Sequence, residues 1–113
     1  MEFTGIQKFN ARNGKLKNFK DCEGMLVRPI GFDTSTYTGQ DGKEHQKLVI
    51  LNGLDGEMYK TEVKAFIEKF LTYDESFGDM KDEEKPLMVI VIRKSKAGNN
   101  YVNFELQEET AAD

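Results

Sequence analysis

The spacing of hydrophobic positions changes along the chain, and each change marks an element. From Cys22 to Tyr37 the sequence CEGMLVRPIGFDTSTY is rich in β-formers, and Pro29 with Gly31 marks a bend or bulge rather than a straight ladder. Residues 38–44 (TGQDGKE) have loop composition, and His45–Asn52 (HQKLVILN) reads as a second strand closed by the turn signals at Gly53 and Asp55-Gly56. Glu57–Thr61 is a short third strand. The period then shifts to that of a helix, with Val63, Phe66, Ile67, Phe70 and Leu71 on one apolar stripe. Thr61 is the expected N-cap and the helix is expected to end near Tyr73, followed by an acidic loop over Asp74–Lys85. Leu87–Ile92 is a fully apolar fourth strand, residues 97–100 (AGNN) a turn, and Tyr101–Gln107 a fifth strand. Its alternation turns Val102, Phe104 and Leu106 inward and Tyr101, Asn103 and Glu105 outward.

Five strands with a lone helix between the third and fourth is the element order of the OB-fold, a partly open Greek-key barrel. The expected class is therefore all-β with one helix. An open sheet with the helix on one face is the competing arrangement. Ahead of this domain, Asn13-Gly14 is a two-residue hairpin signal. It pairs Arg12 with Lys15, Ala11 with Leu16 and Asn10 with Lys17. The organisation read from the sequence is a basic N-terminal hairpin or arm (residues 1–21) packed on the domain, the OB domain (22–107) and a short acidic tail (108–113).

Composition narrows the chemistry. The chain has 113 residues, enough for one domain with a real core. One Cys and one His exclude an internal disulfide, zinc fingers and iron–sulfur clusters, and point to a reducing, cytoplasmic setting. The longest apolar run has six residues, too few to span a membrane, and the N-terminus lacks a signal-peptide pattern. Net charge is −4, from 16 basic and 20 acidic residues, but the charge is segregated. Lys8, Arg12, Lys15, Lys17 and Lys20 form a basic run without acids, and Arg93, Lys94 and Lys96 form a second. Six acids fall between Asp74 and Glu84.

The bent strand VRPIGF, the strand KLVIL, the helix VKAFIEKFL and the hairpin VIVIRKSKAGNNYVNFEL resemble the OB-fold single-stranded-DNA-binding proteins of bacteriophages. The likeness is architectural and covers Cys22 to about Gln107. It implies a protein that coats single-stranded DNA in replication and recombination, in a host-cell cytoplasm, as a dimer or larger oligomer, with replication or recombination proteins as further partners. Bacterial relatives end in a longer acidic tail with an apolar tip. Here the last six residues (EETAAD) lack that tip, so tail-mediated docking is not expected.

Sequence-neutral binding of single strands needs cations for phosphates and aromatic faces for bases. In an OB-fold the groove lies on strands 2–3, flanked by the loop after strand 1 and the 4–5 loop. The candidates are Tyr37 and Lys43, Lys47 on strand 2, and Tyr59 and Lys60 on strand 3. The 4–5 hairpin adds Arg93, Lys94, Lys96, Asn99 and Tyr101, and Lys8, Arg12, Lys15 and Lys17 form a secondary basic arm. A one-residue slip in strands 2 and 3 would exchange Tyr59 and Lys60 between faces. His45 reads as a strand-end hydrogen-bonding residue, Cys22 as a small apolar one, and Arg28 as the partner of a nearby acid. No nucleophile–base set, phosphate-cradling glycine loop or paired carboxylates are visible, so neither an enzyme nor a cofactor, metal or small-molecule substrate is expected. The rival readings are a protein-interaction module that docks a basic partner through residues 74–84, and an RNA-binding OB domain.

Overall fold

A computed structural model describes residues 3–14 and 16–107. In chain order the elements are helix α1 (Gly5–Asn13), β1 (Lys17–Asn18), a 3-10 turn (Phe19–Asp21), β2 (Leu26–Val27), β3 (Pro29–Thr38), β4 (Glu44–Asn52) and β5 (Met58–Thr61). Helix α2 (Lys64–Phe77), a second 3-10 turn (Asp82–Glu84), β6 (Met88–Lys94) and β7 (Asn100–Leu106) follow. The molecule is mostly β. Among the described residues there are two helices and two sheets, ordered β1-β5-β4-β3 and β2-β6-β7, and no closed barrel.

The N-terminal hairpin is corrected to a helix. Thr4 and Gln7 form a capping box: Gln7 N–H donates to Thr4 Oγ1 (3.2 Å) and Thr4 N–H to Gln7 Oε1 (3.0 Å). Asn13-Gly14 is where the helix stops rather than where a hairpin turns. The Gly14 N–H caps the Asn10 carbonyl, and a Cβ there would lie 2.6 Å from that oxygen. The helix also avoids the like-charge pairs a hairpin would have imposed. The helix packs on β3. Arg12 pairs with Asp33 (3.1 Å), and a Cβ on Gly31 would meet the Phe3 ring at 2.8 Å. Lys15 and the tail 108–113 lie outside the described residues.

The first strand bends as Pro29 and Gly31 suggested, and it serves both sheets. β2 pairs antiparallel with β6, and β3 pairs antiparallel with β4, with a register shift between Pro29 and Gly31. Asn52 pins this corner. Its buried side chain accepts from Arg28 N–H and Leu54 N–H (both 3.0 Å) and donates to the Leu26 carbonyl (3.3 Å). A buried amide satisfied on both ends fixes a bend that apolar packing alone leaves loose.

The core lies between the sheets and α2. Phe19, Phe66, Phe70, Ile50, Ile67, Ile90, Met88 and Phe104 are fully or almost fully buried there. Phe19, from the 3-10 turn, stacks between Tyr59 (5.4 Å) and Phe66 (5.1 Å). Helix α2 starts after Val63 rather than Thr61; Thr61 instead accepts the Val63 N–H with its side chain (3.1 Å) as the last residue of β5. The helix also runs one turn past Tyr73, because Phe77 extends the apolar face and packs on Tyr73 (5.1 Å). Asp74 and Glu75 are therefore helical, not loop. Leu71 sits off the stripe, exposed. The rest of the acidic segment is tied down: buried Lys85 pairs with Asp82 (3.1 Å), and Arg28 donates to the Asp82 carbonyl (2.8 Å). No helix of the described residues is long and apolar enough to cross a membrane.

Candidate nucleic-acid interface

Strand pairing decides which candidate side chains can meet a ligand. Across β4 and β5, Ile50 pairs with Tyr59 and Leu48 with Thr61, so Tyr59 faces the core while Lys60, paired with Val49, faces out. Tyr59 is 3% exposed, and its hydroxyl donates to the Asp55 carboxylate. Burial and that carboxylate push its pKa far above the usual tyrosine range. Its ring is core and offers no face to a base. The register ambiguity in strand 3 is thereby resolved against Tyr59 and in favour of Lys60.

The outer face of the same sheet is covered at its centre. Asp33, paired with Val49, lies under α1 and holds Arg12; Val49 and Ala11 are fully buried yet stand outside the main core cluster. Arg12 and Lys17 are engaged in structural ion pairs, Lys17 with Glu57. Glu57 holds the Lys17 pKa above its ordinary value, through their hydrogen bond first. Lys8 is exposed on α1. Arg12 and Lys17 are thus each tied to an acid while remaining 46% and 60% exposed.

Beyond α1 the outer face reopens. Tyr37 on β3 stacks on its cross-strand partner His45 (5.3 Å), and its hydroxyl donates to the two Glu62 oxygens (2.8 and 2.9 Å). That hydrogen bond raises the Tyr37 pKa. His45 bonds Asp41 at the strand end (3.2 Å), and Asp41 is held below its usual pKa by the Lys43 N–H first and by His45 second. Lys47 is half-buried opposite Ser35, and Lys43 is exposed in the β3–β4 loop. Cys22 is half-buried, its thiol pKa raised chiefly by burial.

On the second sheet, Ile90, Ile92, Val102 and Phe104 line the inner face; Val91, Asn103, Arg93 and Tyr101 line the outer one. Tyr101 is half-exposed opposite Arg93, as its alternation suggested. Arg93 is committed to an ion pair with Glu105. Lys94, Lys96, Asn99 and Asn100 are exposed around the hairpin tip, where the Asn99 N–H bonds Ser95 Oγ (3.2 Å).

The two sheets do not pair along β5 and β7. The 3-10 turn fills the inside of that seam, and on the outside it leaves a cleft of about 370 Å³. Lys60 and Tyr101, from opposite sides, both line it, together with Asn18, Lys20, Glu62 and Asn100. Two lysines, a glutamate, a tyrosine and two asparagines therefore border the cleft, the Glu62 carboxylate being held on Tyr37. Lys94 pairs with Asn100 at its mouth. Lys43, Lys47 and Arg93 are not among its lining residues, and Tyr37 reaches it only through Glu62. Compared with protein-family models, with curated proteins and with solved structures, the chain matches none.

Lys20, Asn18 and Glu62 were not singled out from the sequence as site residues. Lys20 carried a signal in the basic run, whereas Asn18 and Glu62 carried none. Only β1, a two-residue strand lying parallel to β5, brings Asn18 and Lys20 to the seam. Among the described residues no group of three or more His, Cys, Asp or Glu side chains gathers to hold a metal.

Proposed function

We propose that the chain binds single-stranded DNA, with little dependence on base order, through the cleft between β5 and β7. One observation carries the reading: Lys20 and Lys60, the cations, and Tyr101, a stacking surface, share one open seam. Phosphates would meet the two ammonium groups and the hairpin-tip lysines, Lys94 and Lys96. A base would stack on Tyr101, a contact that contributes about 1–3 kcal/mol. The pairing sequence β5-β4-β3, continuing through Arg28 into β2-β6-β7, supports reading the domain as an OB-fold left open between its third and fifth strands. On this reading the usual OB surface is narrowed, because α1 packs over β3 on the same outer face. The resemblance to phage proteins extends the proposal to strands exposed during replication or recombination, bound by an oligomer.

A titration of labelled oligo-dT and an equal-length duplex, followed by fluorescence anisotropy at low and moderate salt, tests the proposal. The single strand should bind more tightly than the duplex, and with a shallow salt slope, since few phosphates meet a cation. Equal affinity for both, or binding of neither at micromolar protein, contradicts it. A matched RNA oligomer in the same titration decides between the two sugars.

A further inference from the structure

The most exposed large apolar side chains of the described residues stand on α1. Ile6 and Phe9, one turn apart, are 77% and 65% exposed, while Ala11 is buried against the sheet. Lys8 and Arg12, also one turn apart, form the neighbouring stripe, and the helix carries no acid. A contiguous apolar pair beside cations marks a contact surface rather than a scattered residue. The outer side of α2 has the opposite character. Leu71 is 39% exposed and lies one turn from Glu68 and one turn from Glu75, both exposed. Lys64 is drawn to Glu68 (3.9 Å), and Glu75 forms no ion pair among the described residues. These two surfaces cannot meet within one copy. Helix α1 packs on β3 through Asp33, and α2 packs on the same strand through Phe32, whose ring meets Phe70 at 5.0 Å. Successive residues of a strand face opposite ways, so the two helices lie on opposite sides of one sheet.

We propose that α1 of one copy docks on the outer side of α2 of a second copy. Ile6 and Phe9 meet Leu71, and Lys8 and Arg12 face Glu68 and Glu75. Charge selects this pairing. Helix α1 against α1 would set cations on cations, and α2 against α2 would set acids on acids; only the unlike pair is complementary in sign. The two surfaces differ, so a docked pair still offers one free surface of each kind. The contact is therefore heterologous and builds a ring or an open chain rather than a two-fold dimer. Placement of the helices on opposite sides of the sheet suits such head-to-tail growth. One helix on one helix is a small contact, so the association is weak and shows at high protein concentration. It holds independently of the single-strand-binding reading above.

Sedimentation equilibrium without nucleic acid, on the intact protein and on two variants, tests the proposal. The average mass of the intact protein should climb above the 12.9 kDa of one chain as its concentration approaches about 1 mM. Added salt should lower that mass, since the facing charges are exposed. Phe9→Asp spoils one surface and Leu71→Lys the other, so each variant alone should keep the mass of one chain. Mixed in equal amounts, the variants still hold one sound surface of each kind. They should form a pair of twice the chain mass and nothing larger. An unchanged melting temperature shows that both variants fold. Should Leu71→Lys lower it, Glu75→Lys, at an exposed position, takes its place. An intact protein that keeps the mass of one chain throughout overturns the inference. So does a folded variant that assembles as the intact protein does, a mixture that fails to pair, or an association that strengthens with salt.

Discussion

The two sheets share a core but meet the outside differently. Sheet β1-β5-β4-β3 has the core within and α1 over Gly31 and Asp33 at the centre of its outer face, which is open beyond the helix. In sheet β2-β6-β7 the outer residue Arg93 is exposed, and Val91, Tyr101 and Asn103 are partly buried. On the single-strand-binding reading proposed above, the ligand takes the seam between the two sheets. Lys60 comes to that seam from one sheet and Tyr101 from the other.

The largest change expected is loss of the core that joins the sheets. Phe104 on β7 packs on Phe66 (5.0 Å) and Tyr73, and Phe104→Ala should cost about 3–5 kcal/mol in urea unfolding. A cost below about 1 kcal/mol would mean that β6 and β7 are held to the other sheet by something else. Arg12→Ala tests the cover over the first sheet. Asp33 is 8% exposed and would lose its charged partner, so about 1–2 kcal/mol is expected. No loss of stability would mean that α1 is only loosely laid on the sheet.

A third, smaller effect separates buried from open tyrosines by pH. Burial pushes Tyr73 up to about 12, and Tyr59 is raised further. Both must stay protonated to remain in the core. Their contribution is complete below the unfolded tyrosine value near 10 and is lost as pH climbs from about 10 toward 12. The melting temperature should hold between about pH 7 and 9 and then fall, and tyrosine absorbance should show the buried rings ionising only with unfolding. Ionisation of all four tyrosines near pH 10 in folded protein would contradict their placement. The smallest effect belongs to Arg93→Ala. Its pair with Glu105 is surface-exposed, so stability should change by less than about 1 kcal/mol.

Much of this was legible in the sequence, and the misses have physical causes. The alternation in β7 fixes its faces because Val102 and Phe104 are apolar and Tyr101 and Asn103 are not. β5 is harder, since Met58-Tyr59-Lys60-Thr61 is equally amphipathic in either phase. Its phase is decided from outside, by Phe19 stacking on Tyr59, and Phe19 is hidden between lysines in a basic run. Asn13-Gly14 suits a hairpin turn and a helix stop alike; the capping pair Thr4 and Gln7 distinguishes them. Asn52 looks like an ordinary strand-end residue, yet it holds the corner of the fold through two hydrogen bonds to distant backbone and one to Leu54. The site follows from these long-range facts. Lys60 and Tyr101 were visible as candidates, but their meeting across a seam, with Lys20 and Glu62 beside them, depends on the pairing of β1 with β5.

The most direct test of the account places both sides of the seam in one titration. Lys60→Ala combined with Tyr101→Ala removes a cation from one sheet and a ring from the other, without touching the core. Against labelled oligo-dT the double variant should bind at least about tenfold more weakly than the intact protein, with an unchanged melting temperature. An affinity equal to that of the intact protein would contradict the claim that the seam between β5 and β7 is the binding site.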